Sequence, residues 1–196
     1  MLEQRIQSHS DFIRWLDAFL DGKDVPSEER VLLAGSSFDL VMEYQKAIVI
    51  LVNSKIHGPA FAMMRSIREV FVRGVWLAKC ATTDQVRSVR DGGKFPSTGT
   101  MIEAIEKTES YSGGPLSKMR KETRDWMHGM THGGMEQIAR RFSGVTIEPV
   151  FEENELVELL DFAFAHAALS GIEVCGLAGD GEGALGILEK VKSLTR

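Results

Sequence analysis

Leu2, Ile6, Ile13, Leu16 and Leu20 recur at helical spacing along the start of the chain, and Phe12 and Phe19 widen the stripe they draw. That period is one face of an amphipathic helix, which the pattern ends near Gly22. Pro26 and Ser27, backed by Glu28 and Glu29, signal a second start, because proline suits the first helical turn and acids complement the dipole there. The helix they open is predicted to run to about His57. Its second half, AIVILV (47–52), is apolar all round and predicts a path through the middle of a bundle. A buried strand is the alternative for that run, but no turn chemistry flanks it.

His57-Gly58-Pro59 is expected to stop this helix and start a third, roughly 59–81, carrying AFAMMRSIREVFVRGVWLAKCA. A short helical piece (83–91) and the loop GGKFPSTG follow, and Thr100 with Glu103 reads as a capping box opening a helix to about residue 109. After the break at Ser112-Gly113-Gly114-Pro115, a helix from Pro115 carries KMRKETRDWMHGMTHGG, and MEQIARRF continues helically. Residues 143–152 read as irregular, since Pro149 allows at most a short edge strand. Helices over about 153–178 and 182–195, split by the turn GDGEG, complete the chain. No repeat or low-complexity tract appears. The predicted fold class is all-α: one domain, residues 1–196, in which long antiparallel helices are joined by short loops.

Composition sharpens this picture only in part. With 196 residues, 43% hydrophobic and 26% charged, the chain suits one water-soluble core and excludes disordered, collagen-like and multi-spanning membrane classes. The net charge of -5 gives no global field to steer nucleic acid or an anionic membrane. Locally, however, residues 115–145 carry six Lys/Arg against three acids, whereas 146–196 carry three against ten. Cys80 and Cys175 lie far apart without a C-x-x-C pair, so neither a disulfide framework nor a thiolate cage is expected and a reducing cytoplasm is the simplest home. The interleaved charges of the first twenty residues do not read as a signal peptide. AIVILV is too short to span a membrane, and His166 and Glu173 interrupt the apolar stretch near 162–179, so no membrane partner is expected.

Two places can carry chemistry. On the third helix Arg65, Glu69, Val72 and Trp76 fall on one stripe, so a guanidinium and a carboxylate sit among apolar residues. Arginine ahead of glutamate is the weaker order for a helix, which points to tertiary contacts for the pair. In the Pro115 helix, Lys121, Arg124, Asp125, His128 and His132 gather on one side, with Met119, Trp126 and Met130 opposite. His128 and His132 at i, i+4 can grip one metal with Asp125 as a third ligand, but Gly129 stands where H-E-x-x-H has its catalytic Glu, so a metalloprotease is excluded. The plain alternatives are an intrahelical ion pair and a solvated or structural histidine pair. No cofactor motif is present: GGKFPSTGT lacks the P-loop spacing, and no G-x-S-x-G elbow occurs.

R-S-I-R-E (Arg65 to Glu69), Trp76 and M-T-H-G-G (Met130 to Gly134) resemble an uncharacterised family of bacterial helical domains, in which an R-x-x-x-E helix is followed some sixty residues later by an H-x-G or H-G-G element. The resemblance covers roughly residues 30–142 and implies fold more than function. The layout is also distantly similar to HEPN domains, four-helix up-and-down bundles that often dimerise and that cleave RNA without metal through R-x(4 to 6)-H. This chain departs from that spacing, with three residues between Arg124 and His128 and seven before His132. The resemblance implies a HEPN-like core with extra helices, acting in binding or regulation in stress or phage defence. The expected partners are a second copy of the chain and a small polar ligand, a protein or RNA. Two alternatives stay open: a metal-independent ribonuclease with His132 as acid or base and Arg124 on the phosphorane, and a metal-dependent hydrolase using His128 and His132.

Overall fold

The structure, a computed structural model, describes residues 1–194 apart from the side chains of residues 122–126 and 128. The fold is all-α, as the periodicity predicts. In chain order the helices are α1 (Leu2–Leu20), α2 (Glu29–Asn53), α3 (His57–Lys79), α4 (Thr83–Arg90), α5 (Thr98–Ile105), α6 (Pro115–Thr131), α7 (Met135–Ile138), α8 (Glu153–Leu177) and α9 (Gly181–Leu194). Single 3-10 turns at Glu109–Tyr111 and Ala139–Arg141 supplement them. α2, α3 and α8 form the centre, with α5 and α6 on α3, and α1 and α9 on α8. Two apolar clusters result. The larger joins Phe38, Phe61, Ile67, Phe71 and Met130, and the smaller joins Phe12, Leu16, Phe164 and Ile187.

Several boundaries move from where the sequence puts them, each for a local reason. α2 ends at Asn53 because Lys55 takes a left-handed backbone, φ 60°, and His57-Gly58-Pro59 fall inside the first turn of α3, where a missing proline N–H goes unused. α5 is capped by Ser97, whose side chain accepts from the Thr100 N–H at 3.2 Å, so the helix opens ahead of the Thr100 box. MEQIARRF holds only one α turn and one 3-10 turn. AIVILV is helical but not enclosed, since Ile50 is 63% exposed. By length and composition alone α8 is apolar enough to cross a membrane, and 61% of that window is buried inside the protein, as in a core helix.

Close approach sets the packing of both clusters. A Cβ on Gly74 would stand 2.7 Å from the Phe38 ring, so α2 and α3 touch through a glycine. Gly171 on α8 does the same toward Leu16 of α1 and Ile187 of α9, at 2.9 and 3.1 Å. Polar groups close the remaining gaps. Arg30 donates to the Leu77 carbonyl at 2.8 Å, near the end of α3. Tyr111 donates to Glu173 at 2.9 Å and Lys79 pairs with the same carboxylate at 3.1 Å, a buried network linking the α5–α6 connection, α3 and α8. Burial and the Glu173 charge push the Tyr111 phenol far up.

Candidate functional site

The H-G-G element is a helix ending, and its chemistry follows from that. α6 stops at Thr131, His132 is the capping residue, Gly133 takes φ 66°, and the Gly134 N–H donates back to the Gly129 carbonyl at 2.7 Å. A left-handed glycine with this six-to-one hydrogen bond is the Schellman ending, which satisfies carbonyls of the last turn. Gly129 has a role of its own here: the Glu136 carboxylate of α7 fills the place its Cβ would occupy. The glycine at the metalloprotease position is therefore explained by backbone folding. Thr131 donates to the Met127 carbonyl at 2.7 Å and reaches the Ala62 carbonyl of α3 at 3.4 Å. Gln137 donates to the Gly58 carbonyl at 3.1 Å. The ending is thus fastened along α3.

This fastening delivers His132 to Arg65. Arg65 Nη1 lies 2.9 Å from His132 Nε2 while Arg65 Nε donates to Glu69 Oε1 at 2.7 Å. A guanidinium has only donors, so His132 Nε2 accepts in this contact and the imidazole carries its proton on Nδ1. Arg73 adds a second cation to Glu69 at 3.8 Å and lies over the Phe95 ring, 5.0 Å from its centroid. Phe95 in turn meets Trp76 edge-on. The GGKFPSTG loop is thereby a connector that supplies an aromatic support.

Behind this half-exposed triad Arg68 is 95% enclosed, on the Met64–Phe71–Val75 side of α3. Burial works against its charge, Glu69 favours it, and Arg65 and Arg120 oppose it. Among the described residues, four guanidiniums and the Glu69 carboxylate therefore share one electrostatic neighbourhood at the α3–α6 junction. Arg68 was not singled out in sequence; its spacing from Met64, Phe71 and Val75 is the signal that marks it. Its field also reaches His166 of α8, whose imidazole burial lowers to about 4. His166 Nδ1 donates to the Phe162 carbonyl at 2.8 Å, which fixes its tautomer.

Of the residues singled out in sequence, Arg65, Glu69 and His132 meet here. The side chains of Arg124, Asp125 and His128 lie outside the described residues. Among the described residues no group of three or more His, Cys, Asp or Glu is placed to hold a metal ion. Both cysteines are free thiols, and burial raises each.

A family model, "Family of unknown function (DUF6988)", matches residues 38–193. The chain belongs to this family. The match takes in both halves of the Arg65–His132 contact and runs through α8 and almost all of α9, well past the residues that carry the sequence resemblance, whereas α1 precedes it. Among curated proteins and solved structures, none matches the chain.

Proposed function

We propose that the protein is a binding or regulatory module whose binding centre is the α3–α6 junction, with a phosphate or carboxylate group as its target. The observation that carries this reading is the Arg65 guanidinium, held at hydrogen-bond distance by Glu69 on one side and His132 on the other, with Arg68, Arg73 and Arg120 around it. Such a preset fork suits planar oxyanions. An anion would compete with Glu69 for Arg65.

A second reading is supported by the same contact. A metal-independent ribonuclease of HEPN type needs an imidazole to move a proton and a guanidinium to stabilise the phosphorane, and Arg65 supplies beside His132 what the spacing from Arg124 does not. A metal-dependent hydrolase through Asp125, His128 and His132 is the weaker third reading, because Gly129 is accounted for by the helix ending. The module is proposed to work in the cytoplasm as a homodimer, pairing through the outward face of α2, where Leu32, Leu40 and Ile50 are exposed. α8 contributes less to such pairing than its apolar sequence suggests, since 61% of its apolar window is buried inside the chain.

One set of measurements separates these readings. Inorganic phosphate or a nucleoside monophosphate should raise the melting temperature of the wild type, by mass action on the folded state, and Arg65→Gln should abolish the rise. An equal rise in the variant, or none in the wild type, removes the anion site. Cleavage of labelled RNA that His132→Ala abolishes would move the protein to the ribonuclease reading. One tightly held metal per tag-free chain would move it to the hydrolase.

A further inference from the structure

A cavity of about 570 Å3 opens between α1, α8 and α9. Its walls are apolar: Phe164 and Ile172 of α8 face Leu188 and Val191 of α9. Its volume lies in the range of small-molecule sites, which are mostly apolar with a few placed polar groups. One end is polar, formed by Arg5, Ser8 and His9 of α1 and by Asp161 of α8.

The arrangement of that end defines what it can accept. Asp161 Oδ1 stands 3.4 Å from Arg5 Nε and 3.3 Å from His9 Nε2. His9 is 98% enclosed and stacked on Phe164, with ring centroids 4.8 Å apart. Burial and the Arg5 charge keep its imidazole neutral at pH 7, so Asp161 faces an uncharged ring, and the enclosed Nδ1 has no hydrogen-bond partner. Among the described residues, one cation, one anion and one neutral ring leave the end without net charge. The second Asp161 oxygen remains to accept and the terminal Arg5 nitrogens remain to donate.

We propose that this cavity binds an uncharged amphiphile, an apolar body with an amide or hydroxyl head that donates to Asp161 and accepts from Arg5. A carboxylate head would meet the Asp161 charge and an ammonium head the Arg5 charge, so each loses in a site already balanced. The walls belong to the family-matched part of the chain, whereas Arg5, Ser8 and His9 precede it. The head-group preference is therefore set jointly by the amino-terminal helix and by Asp161 of α8.

The test is titration calorimetry on the whole chain with three probes of one length, decanamide, decanoate and decylamine, below their aggregation limits. Decanamide should bind at least tenfold more tightly than either charged probe. Asp161→Asn leaves Arg5 uncompensated and should turn the preference to decanoate, which a merely greasy groove would not do. Ala165→Trp, an exposed position on the cavity rim, should abolish binding of all three while the helical circular dichroism is unchanged. The proposal is overturned by a charged probe that binds as well as the amide in the wild type, or by an order that Asp161→Asn leaves unmoved. Absence of binding also overturns it, and a dimer mass that Leu188→Glu splits would then assign the groove to a second copy of this chain.

Discussion

The protein holds two groups of arginine, carboxylate and histidine, and they are wired in opposite ways. At the α3–α6 junction the arginine is the bridge: Arg65 touches both Glu69 and His132. At the α1–α8 end the carboxylate is the bridge: Asp161 touches both Arg5 and His9. The bridging group sets what the imidazole meets. Beside the Arg65 guanidinium, which has only donors, the facing His132 nitrogen accepts, whereas beside the Asp161 carboxylate the buried His9 ring stands 3.3 Å away. The same three side-chain types thus make one fork built around a cation and one end built around an anion, and the second lines an apolar cavity of about 570 Å3.

Acid should produce the largest effect, through one buried imidazole near each region. His166, beside Arg68, and His9, beside Asp161, are each lowered by burial from 6.5 to about 4. The unfolded chain takes up these protons near pH 6.5 and the folded chain only near 4, so stability is full above 6.5 and falls as the pH drops between the two values. Each imidazole contributes about 3 kcal/mol to that fall at most. Asp161, raised by burial, works in the opposite sense at the acid end of the window. Urea unfolding at pH 7 and 4.5 should show a smaller acid loss in His166→Phe and in His9→Phe than in the wild type. An undiminished loss in His9→Phe would mean that Asp161 stabilises an imidazolium after all.

The next largest effect sharpens the comparison through packing. Gly171→Ala should destabilise by about 1–3 kcal/mol, the range for overpacking a core, because its Cβ would press on Leu16 and Ile187. Gly176→Ala, five residues along the same helix with nothing within 4 Å, should stabilise by roughly 0.5–1 kcal/mol through its helix propensity and the entropy of the unfolded chain. Thermal unfolding of the pair reads both signs, and equal effects would show that α1 and α9 do not clamp α8.

The smallest effect compares the two bridges directly. A double-mutant cycle with Arg65→Met and His132→Ala should give a coupling of about 1 kcal/mol, since this contact is short and geometrically defined. Arg5→Met with Asp161→Asn should give a few tenths, roughly the value of a half-exposed ion pair at longer range. If the Arg65 and His132 effects simply add, the junction is not a unit.

Most of the helical layout was legible because apolar spacing and glycine or proline breaks act locally. AIVILV and the Thr100 box mislead for the same physical reason: a periodic run does not say which face meets another helix, and several nearby hydroxyls can cap one start. Arg65 and Glu69 stood out as charges among apolar residues, and His132 as part of a glycine-rich element. Their union was not legible, because it depends on a left-handed Gly133 and on Thr131 and Gln137 fastening to α3. The Asp161 end stayed hidden entirely. Arg5 and His9 are separated from Asp161 by most of the chain, and no spacing rule connects them.

Residues 141–150 are exposed throughout, held together only by a few hydrogen bonds such as that between Ser143 and Thr146, with Val145 and Ile147 turned to solvent. This link joins the arginine junction to α8, yet α8 is bound to α1, α2 and α3 by packing along its length. Covalent continuity at the link is consequently dispensable to the assembled bundle. A protease that nicks it should leave two fragments that travel as one particle; Arg65, Glu69 and His132 would stay on one fragment, whereas Asp161 would leave Arg5 and His9 only on denaturation.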